Sequence, residues 1–320
     1  MGSMKNPSVV VIGGGTGMPV LLRGLKDLPI HLTALVTVAD DGGSTGRLRN
    51  EMDIPAPGDI RNVIAALSDA EPMLLELFQH RFTVGNGLSG HSMGNLLLAA
   101  MTSVTGNFLT GIQEISRVLN VKGEIYPISN DSMSLHAKMA DGTVVSGESN
   151  IPLANKKIER VYLSPQPVQP LPDAVNAIEK ADLVVVAPGS LYTSILPNMI
   201  IPQIDVALSK TNANVVYVCN VMTQAGETTR YTAADHVQAI RSHIGEDCID
   251  SIVVHNEPIS KHVREVYAEE NAAPVIYDTE RLIDMGLRII ESDIIDPSRT
   301  TLRHDTQKIA KLLYSIINKG

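Results

Sequence analysis

Ser8-Val9-Val10-Val11-Ile12-Gly13-Gly14-Gly15-Thr16-Gly17 is the first patterned stretch of the chain, and its reading decides the fold class. The β-branched run Val9–Ile12 is too short for a stable helix and predicts a buried strand. The glycines that close it predict a tight turn. Apolar residues at Val20, Leu21, Leu22 and Leu25 then carry a helical spacing that fades near Pro29. A second apolar run, Leu35-Val36-Thr37-Val38-Ala39, predicts the next strand. Strand, glycine turn, helix and strand form the opening of a Rossmann-like unit, in which an anion is expected at the helix N-terminus. Gly14, Gly15, Thr16 and Gly17 are therefore candidate ligand-binding residues. The dinucleotide fingerprint is broken, however. Counting G-x-G-x-x-G from Gly13 puts Met18 at the third glycine, and counting from Gly15 puts Val20 there. Phosphate binding is expected and NAD is not.

The second strand runs into Asp40-Asp41-Gly42-Gly43-Ser44-Thr45-Gly46-Arg47. Carboxylates, a Gly and hydroxyl loop, and a guanidinium suit a phosphorylated or nucleotide-like ligand. Gly43 lets backbone N–H groups approach, Ser44 donates, and Arg47 offers a bidentate fork. Asp40 and Asp41 could hold a ribose hydroxyl or a Mg²⁺ ion. Downstream, Gly58-Asp59-Ile60-Arg61-Asn62 opens an amphipathic helix with Asp59 as its expected N-cap. Arg61 and Asn62 would face whatever lies over that helix end. If the chain performs chemistry, Asp40, Asp41 and Asn62 are the residues placed to do it. Gly90-His91-Ser92-Met93-Gly94 matches the G-x-S-x-G elbow of α/β-hydrolases, but the segment before it is loop-like where the elbow needs a strand. A helix N-terminus carrying ligand contacts, with Asn95, is the better reading.

Further buried strands are expected at 181–187, 215–221 and 249–254, each ending in a polar loop. The loop after the first supplies Gly189, Ser190, Thr193 and Ser194 as candidates, and the next supplies Asn220 and Thr223. Parallel strands whose C-terminal ends all carry such loops describe a doubly wound, mainly parallel α/β sheet with one ligand crevice. Between about residues 121 and 165 the period changes to that of a small antiparallel β insertion, with Asp141-Gly142 as a hairpin turn. His136, inside it, reads as a packing or surface residue. A last strand is expected near 287–290, and Ile309, Leu312, Leu313, Ile316 and Ile317 stripe a final helix capped by Asp305. One domain over residues 4–320 is expected, with residues 1–3 a tag remnant.

The 320 residues carry a net charge of −9, which argues against a broad nucleic-acid surface. Three Phe and no Trp leave few platforms for stacking bases. No run is long and apolar enough for a membrane span, and two cysteines without metal or redox spacing fit a reducing cytoplasm.

Taken together, Val9–Gly17, Val36–Arg49 with Asp59–Asn62, Gly87–Asn95, Pro188–Asn198 and Asn220–Thr228 resemble the YvcK-type gluconeogenesis factors, in the superfamily of the CofD 2-phospho-lactate transferase. The resemblance covers nearly the whole chain. It implies a cytoplasmic Rossmann-like protein that binds UDP-N-acetylglucosamine or a related nucleotide sugar and supports gluconeogenic growth, envelope-precursor supply and cell shape. It also implies that Tyr267 and Arg303 anchor the nucleotide sugar, and that Thr306 matches a position phosphorylated by Ser/Thr kinases. A protein partner in amino-sugar synthesis and a homo-oligomer are compatible with it. The alternative is a Mg²⁺-dependent phospho-group or nucleotidyl transferase like the superfamily's enzymes.

Overall fold

The computed structural model describes residues 6–296 and 302–318. Residues 1–3 lie outside the described residues, and with them the expected tag remnant. Parallel strands β1 (Ser8–Gly13), β2 (His31–Val36) and β3 (Glu124–Pro127) form one half of the main sheet. Two strands of a small second sheet, β4 (Ser134–Met139) and β5 (Val144–Ser146), follow and pair antiparallel; β6 (Ile158–Ser164) completes it on the other side of β4. The chain then returns to the main sheet with β7 (Leu183–Val186), β8 (Asn214–Val218), β9 (Ser251–His255) and β10 (Arg288–Ser292).

The main sheet has the order β10-β9-β8-β7-β1-β2-β3, and every pairing in it is parallel. The expected doubly wound α/β sheet with a small antiparallel addition is therefore the architecture. From β1 the chain winds outward through β2 and β3, then restarts at β7 and winds the other way. The direction reverses between β1 and β7, where this class of sheet opens a crevice. The β1, β7 and β8 residues Val9–Ile12, Val184–Val186 and Val216–Val218 are at most 2% exposed, as strands covered on both faces must be.

Local departures from the sequence reading have identifiable causes. β2 ends at Val36; Thr37 still donates its N–H to the Gly13 carbonyl, and Val38 and Ala39 run on as buried chain beyond the ladder. There Val38 is still tied by its carbonyl to the Ala56 N–H. Glu124–Pro127, expected within the insertion, is the edge strand of the main sheet; its register against Thr33–Val36 buries Ile125. His136 bridges Ser146 and Ser164 across the small sheet and stacks on Tyr162, a packing role.

Helix α1 (Gly17–Leu25) packs against the last helix, Thr306–Ile317, whose N-cap Asp305 accepts from the Gln307 and Lys308 N–H groups. Gly24 permits this closeness. A Cβ there would sit 2.2 Å from the Thr306 carbonyl oxygen and 2.8 Å from the Ala310 Cβ. Inside an exposed helix, Gly→Ala gains roughly 1 kcal/mol, whereas overpacking costs about 1–3 kcal/mol. Gly24→Ala is therefore expected to destabilise the protein by about 1 kcal/mol or more, read as a lower urea midpoint at unchanged slope.

Candidate functional site

At the reversal point the loops after β1 and β7 lie in contact. A Cβ on Gly17 would fall 2.1 Å from the Pro188 carbonyl oxygen, and Gly15 has a positive φ of 62°. Only glycine fits both demands, which accounts for the run of glycines in the sequence. The Asn220 amide holds the second loop from below: Gly189 N–H donates to its Oδ1 at 3.1 Å, and its Nδ2 donates to the Gly189 carbonyl at 2.7 Å. Thr223 makes a similar double clamp on Ala273. These two side chains fix loop shape, so what they offer a ligand is mainly position.

Ser190 Oγ donates to Gln224 at 2.8 Å on the same wall. Thr193 and Ser194 are buried behind it in a π-helical turn, Leu191–Ile195. Thr193 Oγ and the Tyr192 N–H both donate to the carboxylate of Glu227, a buried acid whose pKa burial pushes up to about 6. Ser194 faces Gly15.

The far wall comes from the C-terminal part of the chain. Tyr267, on the helix Lys261–Glu269, accepts the Leu302 N–H on its hydroxyl at 2.9 Å. Arg303 reaches across to donate to Thr16 Oγ at 3.0 Å. Thr16, Gly17, Gly189, Ser190, Tyr267 and Arg303 thus border one crevice of about 390 Å³. His304 also lines it, its ring held neutral by burial, with the pKa pushed down to about 4.

A second cavity, of about 270 Å³, lies at the N-terminal ends of α2 (Gly43–Met52) and α3 (Pro57–Leu67). Asp40, Gly43, Ser44, Asn62 and Asn95 line it, so candidates expected in a single crevice are divided between two cavities. The Gly and hydroxyl loop expected between Asp41 and Arg47 is the N-cap, Gly42, and first turn of α2. Arg49, buried further along α2, fixes the approach to it by donating to the Ala39, Asp40 and Met133 carbonyls. Arg47 lines neither cavity and donates to the Ser89 carbonyl at 2.8 Å.

Asp59 does not cap its helix. Ala56 occupies the cap, Pro57 follows, and Asp59 turns away to accept the Gly15 N–H at 2.8 Å. Burial is the main cause of its raised pKa of about 6. Its contact ties the second cavity to the glycine loop after β1. Ser92 is fully buried and caps α5 (Met93–Thr105) by accepting the Asn95 N–H, which leaves no exposed nucleophile there.

On the rim, Asp41 accepts the Ser149 N–H from the antiparallel insertion, and this brings Glu148 in. Carboxylate oxygens of Asp40, Asp41 and Glu148 lie within 4.8 Å of one another, the one such acidic cluster among the described residues. Burial first, then Asp40, Asp59 and Asp41, push the Glu148 pKa up to about 8. Hard oxygen donors so grouped suit Mg²⁺ or Ca²⁺. Sequence reading found Asp40 and Asp41 but missed Glu148, because nothing local ties Gly147-Glu148-Ser149 to a loop some hundred residues earlier.

The 2-phospho-L-lactate transferase CofD family model matches residues 9–295. The chain belongs to the CofD family. It is 54% identical over 315 residues to a Bacillus subtilis protein named gluconeogenesis factor, covering 98% of this chain and 99% of that one. The Halalkalibacterium halodurans protein of the same name is 56% identical over 310 residues, covering 97% and 96%. A crystal structure of a UPF0052 family member from Bacillus halodurans superposes with a TM-score of 0.94 at 56% identity, over 97% of this chain and all of that one. Nearly every residue of both cavities falls within the matched span, but Tyr267 lies near its end and Arg303 beyond it.

Asp59 and Glu148 bind their protons more tightly in the folded chain than in the unfolded one, whose carboxyls titrate near 4. Their contribution is fully favourable below about pH 4 and is lost as pH rises through about 6 for Asp59 and about 8 for Glu148. The double variant Asp59→Asn, Glu148→Gln lacks this loss. Its stability relative to the parent should rise between pH 5 and pH 9, by on the order of several kcal/mol, in urea unfolding at each pH.

Proposed function

We propose that this protein binds a nucleotide sugar, UDP-N-acetylglucosamine, in the crevice between β1 and β7 and acts as a regulator of growth on gluconeogenic carbon. Envelope-precursor supply and cell shape are the processes it serves, through a protein partner in amino-sugar synthesis. The relatives named gluconeogenesis factor support the physiological half of this reading. The observation that carries the ligand half is the Arg303–Thr16 bridge beside Tyr267. Arg303 is an exposed guanidinium held over the first glycine loop from the far end of the chain. A diphosphate laid across that loop would meet the α1 N-terminus and a bidentate donor together. Tyr267 would stand beside the sugar or ribose.

Calorimetric titration with UDP-N-acetylglucosamine, followed by mass spectrometry of the recovered ligand, tests this. Binding with intact ligand is expected. Arg303→Ala should weaken it about 10- to 100-fold, the effect of losing a charge-assisted hydrogen bond worth roughly 1.5–3 kcal/mol. Unchanged affinity in that variant, with the parent binding, would remove Arg303 as the anchor.

The acidic cluster favours a second reading, a Mg²⁺-dependent phospho-group or nucleotidyl transferase. Asp40, Asp41 and Glu148 are the residues that would hold the ion, which would neutralise charge on a transferred phosphoryl group. Asn62 stands beside Asp40 in the same cavity and could position an acceptor. Conversion of the ligand that needs Mg²⁺ and is lost in Asp40→Asn would establish this reading in place of the first.

A further inference from the structure

Behind the crevice wall built by the loop after β7, three side chains form one hydrogen-bonded line. Ser190 Oγ donates to Gln224 Oε1 at 2.8 Å, and Gln224 Nε2 donates to Glu227 Oε1 at 3.2 Å. Ser190 and Gln224 line the crevice, whereas Glu227 lies behind them and is 5% exposed. The same Glu227 oxygen accepts the Thr193 hydroxyl at 2.9 Å, and its Oε2 accepts the Tyr192 N–H at 3.0 Å. The Gln224 backbone is pinned, its N–H on Thr228 Oγ and its carbonyl under the Glu227 and Thr228 N–H groups. Only its amide is free to turn.

Every donor in this line points toward the acid, so Ser190 spends its hydrogen on Gln224 and offers the crevice only lone pairs. That polarity disfavours an anion. A proton on Glu227 reverses it. The new acid O–H needs an acceptor, and the Tyr192 N–H cannot turn round. Turning the Thr193 hydroxyl would strand its hydrogen in a buried place. Turning the Gln224 amide strands nothing: the acid donates to its Oε1, its Nε2 donates to Ser190 Oγ, and the serine hydrogen is released into the crevice. The Gln224 bond is also the longest of the three that Glu227 accepts.

Among the described residues no cation is paired with Glu227; the groups that meet it are Tyr192, Thr193 and Gln224. On its outer side Lys156, Lys157 and Glu159 of the insertion line a cavity with it, and Lys156 is itself paired with Asp141. Arg230 and Asp235 line the same cavity. Tyr231 and His243 touch Tyr192 rather than the acid. Glu148 feels the Glu227 charge only at longer range. Burial therefore dominates, and it brings the carboxyl to about 6, where a proton is gained and lost reversibly.

We propose that Glu227 is a positioning residue that sets the donor polarity of Ser190 through Gln224, so that the crevice takes up a proton when it binds an anionic nucleotide sugar. This rests on the nucleotide-sugar reading of the crevice. The ligand favours the protonated acid, so affinity rises as pH falls through the Glu227 titration. A diphosphate esterified at both ends keeps its charge over this range, so the proton belongs to the protein.

The relay is read first without ligand, from the Gln224 side-chain amide signals, identified by their loss in Gln224→Ala. They should move with a midpoint at about pH 6 in the parent and stay fixed in Glu227→Gln. Immobile signals in the parent overturn the relay whether or not a nucleotide sugar binds. UDP-N-acetylglucosamine is then titrated from about pH 8 to about pH 5. Asp59 and Glu148 take up protons in the same range, so the difference between variants decides. Glu227→Gln, neutral throughout, should bind about tenfold tighter than the parent at the alkaline end and equally at the acid end. On a Ser190→Ala background this difference should collapse. A gain that persists there is plain removal of charge and overturns the relay, as does weaker binding by Glu227→Gln at every pH. An unchanged unfolding midpoint at the acid end, where both side chains are neutral, checks the fold of Glu227→Gln. If that midpoint falls, proton uptake by the parent, read from binding heats in buffers of different ionisation enthalpy, and its loss in Ser190→Ala carry the test. Failure of parent and variants alike to bind, with the amide signals moving, counts against the proposed function alone.

Discussion

Two close approaches govern the C-terminal edge of the sheet: Gly17 against the Pro188 carbonyl, and the Gly15 N–H on the Asp59 carboxyl. The first closes the reversal point of the sheet, so that the β1 and β7 loops become one surface. The second fixes that surface to α3, and through α3 to the cavity beyond. Asp59 can do this only by giving up solvent, and its raised pKa is the electrostatic mark of that exchange. A carboxyl in this position that simply capped its own helix would leave the glycine loop after β1 untied.

In an acidic protein an anion site needs positive groups brought together locally, and this chain gathers three guanidiniums by topology. The guanidiniums of Arg61, Arg81 and Arg303 come from α3, the segment after α4 (Pro72–Gln79), and the C-terminal region. The carboxylates of Asp40, Asp41 and Glu148 gather on one rim. Cations and acids thus meet on the same edge, with Asp40 and Asp59 lining one cavity together with Arg61 and Arg81. The overall charge of −9 says nothing of this arrangement.

Much of the fold was legible because parallel strands buried on both faces leave continuous apolar runs, and Val9–Ile12, Leu183–Val186 and Val215–Val218 are such runs. The glycine loops were legible for a related reason, since close backbone approach excludes other residues. Strand ends were less so. Val38 and Ala39 are as buried as Leu35, yet lie beyond the ladder, because burial and pairing are different constraints and only burial marks the sequence. The edge strand Glu124–Pro127 is short and partly exposed, which made it look like part of the insertion.

The candidate site divides along the same line. Residues that shape loops, such as Gly15, Gly17 and Asn220, announce themselves by type and place. Glu148 does not, because its position depends on the insertion folding back so that Asp41 can accept the Ser149 N–H. A Cβ on Gly147 would lie 2.4 Å from an Asp41 carboxylate oxygen, so a glycine is needed here too for the close approach. The insertion is therefore part of the functional edge. The turn after β5 sets Glu148 against Asp40 and Asp41, where burial and the neighbouring carboxylates favour its protonated form.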